Sequence, residues 1–533
     1  MDNQSSLTSA SRATDIGSCS QMSPSDTQRV LAIALRKSLQ ETVREEGNFT
    51  IGCTKLFRTR TRFLIVILVQ FCLIAIWSNI LSFNFALICI GNDEKLMMRN
   101  GTSLQSVNQT TNYRFTQNQR TLLTSVVALA AILANFPLVI LINRCGVRLS
   151  LTTFGLLSAA VTALIPTALH FGFYYLAATR FLQGISFAVS FPVIGAFTSK
   201  WTYYKQNGLF ISILVAYVQL APAISMPISG ALCLSQWRWP AVFYAHAATS
   251  ALLFIFFWIL YRNEPSEHPW VSSEEKNKIS VGKVGKQTEN RRIPYCDIFI
   301  TGSVWAVWIA AIGNFTTVNL MSLYAPVYLH EVVGYEVQNT GFASALPPFL
   351  QFIIKVVAGF TSDKVTCLGE TGKLRMYNSF AFMGSAYFLF LLVLAPKSDD
   401  YLAVFFLGGA AATLGFTTGG FFKAGPLVSR HFSPFVTGNV TLGITVTMLF
   451  IPIIVSNLAP QNSEKGWHKV FLAAATILIV TNAIFCLMSS AEAAPWAKDE
   501  RSHTLGQISM LSSSTRVGDG SAETAASEIK GTV

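Results

Sequence analysis

Roughly a dozen apolar stretches, most of them about 20 to 30 residues long and almost free of charge, run between Arg62 and Ala491 and decide what this chain can become. They fall at about 63–90, 121–142, 149–169, 172–199, 208–234, 241–261, 298–329, 341–361, 377–396, 401–422, 435–459 and 468–490. At a rise of about 1.5 Å per residue, each is long enough as a helix to cross a hydrocarbon core of about 30 Å. Lipid offers no partner to a peptide N–H or C=O, so segments of this kind satisfy their backbone as helices. The expectation is an all-α membrane protein with twelve transmembrane helices. With 51% hydrophobic and 12% charged residues among 533, the chain is too apolar for a water-facing surface of ordinary polarity.

The net charge of +12 is therefore a signal of topology. Lys55, Arg58, Arg60 and Arg62 precede the first stretch, Arg144 and Arg148 follow the second, and Lys200 and Lys205 follow the fourth. The same side collects Lys276, Lys278, Lys283, Lys286, Arg291 and Arg292, and then Lys364, Lys373 and Arg375. Positive connections stay in the cytosol, which places both termini there. Loop 91–119 falls outside, although it carries Lys95, Arg99 and Arg114. It also holds the acceptor triplets Asn100-Gly101-Thr102 and Asn108-Gln109-Thr110, which fit a lumenal or extracellular face. Residues 1–58 and 492–533 read as disordered cytosolic tails. The cysteines have no metal-ligand spacing, so no metal site is expected. Only Cys89 and Cys233 stand near the outer ends of their stretches, and nothing else argues for a disulfide between them.

The polar segment 263–297 divides six apolar stretches from six, giving an amino-terminal bundle at 59–262 and a carboxy-terminal one at 298–491. After the second stretch the chain reads Leu141-Ile-Asn-Arg144-Cys-Gly146-Val-Arg148, and after the eighth Gly359-Phe-Thr-Ser-Asp363-Lys364. Both resemble the G-x-x-x-D-R-x-G-R-R signature of the major facilitator superfamily, with Val139 and Asn143 replacing the first Gly and the Asp in copy one. Arg144, Gly146, Arg148, Gly359 and Asp363 are thus candidate gating residues, whose charges can pair with carboxylates or helix dipoles across the bundle interface and part during rocking.

Longer strings narrow the resemblance: Arg180-Phe-Leu-Gln-Gly184, Met226-Pro-Ile-Ser-Gly230, Trp239-Pro-Ala-Val-Phe-Tyr244, Ser344-Ala-Leu-Pro347, Trp467-His-Lys-Val-Phe471, and above all the linker Pro265-Ser-Glu-His268-Pro269-Trp-Val-Ser272-Ser-Glu-Glu275-Lys276. These resemble the anion:cation symporters, the family of type I sodium/phosphate cotransporters, sialin and the vesicular glutamate transporters. The resemblance implies the two-bundle fold, alternating access, an anionic solute, and a plasma-membrane, endolysosomal or vesicular location. Departures matter too. Vesicular members and sialin carry a glutamate seven residues beyond the helix 4 arginine, where this chain has Phe187, and the family's helix 1 arginine is missing here.

A charge near the bilayer centre costs about 2.5–3.5 kcal/mol, so each one is a functional candidate. The apolar stretches hold Arg180, His246 and Lys355, and no acidic residue occurs between Glu94 and Glu264. Arg180 is the expected anion ligand, through bidentate bonds. Lys355 is a second candidate, set against snorkelling toward the inner headgroups, and His246 a third, set against a packing role. Asn84 and Asn314 add neutral binding capacity, balanced by the ordinary use of such amides to join helices. No cofactor is expected beyond Na⁺ or H⁺ as a coupling ion, and transport driven by membrane potential suits the missing carboxylates best. Expected partners are a small anionic solute and the lipid bilayer, with no nucleic acid and a monomeric state. No catalytic triad or phosphate-binding loop is present, so an enzyme is not expected. The sequence therefore points to a transporter of a small organic or inorganic anion. A transport-inactive homologue acting as a membrane regulator stays open as the alternative.

Replacing Asn100 and Asn108 together is expected to lower and sharpen the gel band of protein expressed in a secretory system. Identical mobility with and without glycosidase would place loop 91–119 on the other side.

Overall fold

A computed structural model describes residues 60–99, 115–202, 207–280, 294–365, 368–395 and 400–497. Residues 1–59 and 498–533, the acceptor triplets at Asn100 and Asn108, and linker residues 281–293 lie outside the described residues.

The described chain is helical throughout. The first seven helices are α1 (Thr61–Arg99), α2 (Gln117–Phe171), α3 (Phe173–Ala188), α4 (Ser190–Trp201), α5 (Asn207–Val215), α6 (Tyr217–Cys233) and α7 (Arg238–Leu260). Two short ones, α8 (Ser273–Ser280) and α9 (Tyr295–Ile300), belong to the connection. There follow α10 (Gly302–Tyr328), α11 (Val337–Lys364), α12 (Glu370–Leu394), α13 (Asp400–Leu414), α14 (Phe421–Ser429), α15 (Ser433–Leu458) and α16 (Glu464–Met488). Eleven helical segments among them are long and apolar enough to cross a membrane. The 55 residues of α2 would reach about 80 Å if straight, far beyond one bilayer. Gly146, at φ 80° and ψ 168°, interrupts α2, which covers both the second and the third expected stretches.

The fourth and fifth spans run on through Val189 and Ala216, whose dihedrals stay in the right-handed helical region. The tenth passes through a tight turn at Gly415–Gly419 between α13 and α14.

Helices α1 to α7 pack on one another, as do α10 to α16, and the two groups meet chiefly along α6 with α11 and α2 with α15. Small residues permit the closest approaches. A Cβ on Gly341 would lie 2.8 Å from the Met226 carbonyl and 3.3 Å from the Gly230 Cα, so α6 and α11 touch backbone to backbone there. Ser125 of α2 donates to the Leu449 carbonyl of α15 at 3.4 Å. These contacts stand at the end of the molecule where Cys89 and Cys233 are joined, with their Cα atoms 6.0 Å apart. The disulfide corrects the sequence expectation: packing of α1 against α6, around Phe85, Met226 and Val242, brings together two residues 144 positions apart.

At the opposite end the linker folds back on the first group. Thr61 Oγ1 donates to the Trp270 carbonyl at 2.9 Å, the Arg62 amide to Glu275 at 3.2 Å, and Lys200 pairs with Glu264 at 2.6 Å. His268 sits edge-on to Trp201 and Trp270, with Nε2 on the Leu260 carbonyl at 3.1 Å and Nδ1 on the Trp270 amide at 3.2 Å. Those partners suit a neutral ring that donates from Nε2 and accepts at Nδ1. Burial, reinforced by Arg262 and Lys276, holds the His268 pKa below the ordinary histidine range, so the neutral form is kept. Ser272 caps α8 by accepting from the Glu275 amide at 3.2 Å. Thus Pro265, His268, Ser272 and Glu275 of the linker string form a latch under the first helix group.

The second group has its own. The Ala494 amide donates to the Val428 carbonyl at 3.0 Å and the Trp496 indole to Thr301 at 2.9 Å. Residues 492–497 are therefore part of the folded body, against the expectation of a disordered tail from 492, because Trp496 finds both a hydrogen-bond acceptor and the ring of Phe432.

Candidate functional site

A network of neutral side chains joins four spans of the first helix group. Asn79 of α1 donates to Ser158 of α2 at 3.0 Å and accepts from Ser250 of α7 at 3.1 Å. Gln183 of α3 donates to Thr162 at 2.8 Å and to the Asn79 carbonyl at 3.2 Å. Arg180, one turn away, is fully buried. Its guanidinium donates to the Leu123 carbonyl at 3.2 Å, the Ile80 carbonyl at 3.4 Å and Gln183 Oε1 at 2.5 Å, and lies 4.5 Å over the Phe83 ring. Only Nη2 lacks a partner. Main-chain carbonyls of α1 and α2 thus hold part of the guanidinium that the sequence offered as an anion-binding fork, and through it clasp the two spans together. Phe187, seven residues beyond Arg180, stacks on Trp77 with centroids 5.0 Å apart.

Lys355 is placed differently. It lies on α11 and is only 7% exposed, with Nζ 5.0 Å from the centre of the Phe422 ring on α14. It makes no hydrogen bond or ion pair with any described residue. A snorkelling lysine would reach the headgroup level, whereas this side chain turns to the neighbouring helix. The backbone there is held tightly, since a Cβ on Gly415 would come within 2.7 Å of the Lys355 amide. An ammonium in such a place, beside a ring face and with no acid paired to it among the described residues, lacks the counter-charge its burial demands.

The remaining candidates are simpler to place. His246 is buried, with Nδ1 2.8 Å from the Val242 carbonyl one turn back, as for a packed neutral ring. Asn84 is half-buried on α1. Asn314 is buried on α10 with Oδ1 unpartnered. Arg180 and Lys355 belong to different helix groups, and the structure records no contact joining them.

Among the gating candidates, Gly146 and Arg148 meet a common partner. A Cβ on Gly146 would fall 2.5 Å from Asn263 Nδ2, and the Arg148 amide donates to Asn263 Oδ1 at 2.9 Å. The Arg148 side chain donates to the Trp258 carbonyl at 2.7 Å and lies 4.3 Å over the Trp258 ring. Its partner is the carboxyl end of the α7 dipole, within the same helix group, and not a group across the interface as the sequence suggested. Arg144 is exposed. Gly359 faces the methyl of Thr418 at an ordinary distance of 3.5 Å for an added Cβ. Asp363 closes α11, and its side chain lies outside those described.

Sequence reasoning passed over Trp77, Ser190 and Tyr217, which are fully buried with polar atoms that have no partner among the described residues. Their types read as core in a hydrophobic stretch; only the coordinates expose the unmet hydrogen bonds.

Comparison with known proteins agrees with this geometry. Residues 64–426 match the Major Facilitator Superfamily. Human sialin is 30% identical over 359 residues, covering 65% of this chain and 70% of that protein. Human sodium-dependent phosphate transport protein 1 is 27% identical over 352 residues, covering 65% and 75%. Among solved structures, a bacterial homologue of the human lysosomal transporter Spinster, inward-facing and unoccupied, superposes with a TM-score of 0.61 at 13% identity, over 81% of this chain and 99% of the other. At that identity the likeness is one of fold.

Arg180→Lys is expected to reduce the yield and melting temperature of purified protein, since each charged hydrogen bond lost in burial costs about 1.5–3 kcal/mol. The surviving protein keeps its apparent affinity for solute. An unchanged melt with weakened affinity would return Arg180 to the solute site.

Proposed function

The chain belongs to the major facilitator superfamily and to its anion:cation symporter branch, and from that premise we propose that it carries a small anion across the membrane by alternating access. Helices α6 with α11 and α2 with α15 form the seam along which the two groups rock. The latched end faces the cytosol and the disulfide end faces the lumen or exterior, where oxidising conditions permit the Cys89–Cys233 bond. The membrane is the plasma membrane or that of an endolysosomal or vesicular compartment.

One observation carries the reading: Lys355 is a buried lysine with no counter-ion among the described residues. An arriving anion supplies the missing charge, and its departure restores the cost, so Lys355 favours binding without trapping the solute. Arg180 supports the fold of the first group. The first group also has no carboxylate between Glu94 and Glu264 to carry a proton, and Phe187 fills the place of the relatives' acid. Net movement of negative charge then makes membrane potential the driving force, with sodium at neutral oxygens the next choice.

In proteoliposomes at clamped potential, Lys355→Gln is expected to cut anion uptake by about tenfold or more, equivalent to about 1.4 kcal/mol, while Lys355→Arg keeps part of it. Uptake should follow potential and not the pH gradient. Undiminished uptake by Lys355→Gln would reject the assignment, and absence of uptake by wild-type protein across an anion panel would favour the transport-inactive alternative.

A further inference from the structure

The cations at the latched end are not all answered alike. Lys200 pairs with Glu264 at 2.6 Å and Lys373 with Glu370 at 2.8 Å, whereas Arg144, Arg148 and Arg262 pair with no acid among the described residues. These three share one corner. A Cβ on Gly146 would fall 2.5 Å from the Asn263 side chain, so Arg144 and Arg148, two residues to either side of Gly146, stand beside the residue that follows Arg262. Arg148 and Arg262 are close enough to repel each other. The turn between the two arms of α2 supplies no counter-charge, because Asn143 takes the place of the acid in the superfamily signature.

Two of the guanidinia are anchored and still have donors to give. Arg148 donates through Nε and Nη2 to the Trp258 carbonyl at 2.9 and 2.7 Å, and Arg262 through Nη1 to the carbonyls of Ile259 and Tyr261, both at 3.0 Å. A guanidinium has five N–H donors in a fixed fork, so neutral carbonyls at the end of α7 hold both in place without neutralising either. Arg144 is exposed. The adjoining surface is apolar: Leu149, Trp258 and Ile259 are 43%, 41% and 56% exposed, as suits helices that face lipid. An open groove of about 460 Å³, lined by Leu133, Pro137, Leu141, Phe154 and Phe181, follows the two arms of α2, and Leu141 is three residues from Arg144. Charge and apolar groove therefore meet where the hydrocarbon gives way to the headgroup layer.

We propose that corner and groove together form a site for an anionic phospholipid of the leaflet on the latched side, its headgroup on Arg144, Arg148 and Arg262 and one acyl chain in the groove. Three guanidinia without an acid favour a headgroup that carries a phosphomonoester, whose oxygens accept a planar fork two at a time. A free phosphate would use the guanidinia alone, whereas the apolar groove beside them selects a lipid. A lipid held there ties the turn of α2 to the end of α7 and stabilises the first helix group. The site lies apart from Lys355 on the second group, and it stands or falls independently of the solute carried.

The test follows the melting temperature of purified full-length protein in detergent micelles as a phosphatidylinositol monophosphate is added. A lipid that binds the folded form raises the melting temperature with its concentration, and phosphatidylcholine with the same acyl chains is expected to leave it unchanged. Joint Arg144→Gln and Arg262→Gln substitution is expected to weaken the apparent affinity by about tenfold or more, and the corresponding lysine pair to recover only part of that loss. Arg262 also bonds the end of α7, so Arg144→Gln alone, which removes only an exposed side chain, is measured beside it and should weaken binding to a smaller degree. Ala134→Phe, which fills the groove, should weaken the lipid as well. An equal shift with phosphatidylcholine, or an undiminished shift in both the single and the double glutamine variants, would overturn the site. Equal stabilisation by inorganic phosphate or by the chain-free inositol phosphate headgroup at the same concentration would give the corner to a free anion and overturn the lipid. Full affinity in Ala134→Phe would remove the acyl chain from the groove, and full recovery by the lysine pair would overturn recognition by the fork.

Discussion

A charge carried into hydrocarbon must be answered by another group, and the two helix groups answer theirs in opposite ways. The Arg180 guanidinium is spread over carbonyls of α1 and α2 and the amide of Gln183. The Lys355 ammonium lies over the ring of Phe422 and pairs with no acid among the described residues. Arginine suits the first role, because a planar fork can satisfy several fixed acceptors at once; lysine suits the second, because a point charge on a flexible stem accepts and releases a partner easily. The asymmetry separates what holds the fold from what is available to a solute.

Rocking requires that each group be rigid within itself and lightly joined to the other. Neutral hydrogen bonds from Asn79, Ser158, Gln183 and Ser250 tie the first group internally, and Asn319 to Thr447 and Asn378 to Asn482 tie the second. Each group has a separate latch at the same end, one from the linker and one from residues near Trp496. The seam between groups, by contrast, includes the bare backbone contact of Gly230 with Gly341. Side chains that interlocked there would have to part on every cycle, whereas apposed glycines can slide at small cost.

The spans were legible because apolar length is a direct physical demand of the bilayer, whereas Gly146, read as a gating residue, turns out to be where α2 bends. The linker string was legible as a family mark, but its work was not, since Thr61 and Trp270, or Arg62 and Glu275, meet only through the fold. The disulfide went unassigned because spacing along the chain says nothing about which spans adjoin. The surroundings of Arg180 were hidden for a related reason: residue type and depth announce a costly charge, yet only coordinates tell which carbonyls accept from it. Trp77 and Tyr217 were hidden most completely, since in an apolar stretch a donor with a partner and one without are spelled alike.

The central claim is that Lys355 waits for a negative charge. Phe422→Glu would place a carboxylate beside it and satisfy that charge from within, with Phe422→Gln as the neutral control. The measurement is the melting temperature of purified protein together with anion uptake after reconstitution. The account predicts that the glutamate variant melts higher than the glutamine variant while its uptake falls well below it. Equal uptake by both variants, with no difference in melting, would contradict it.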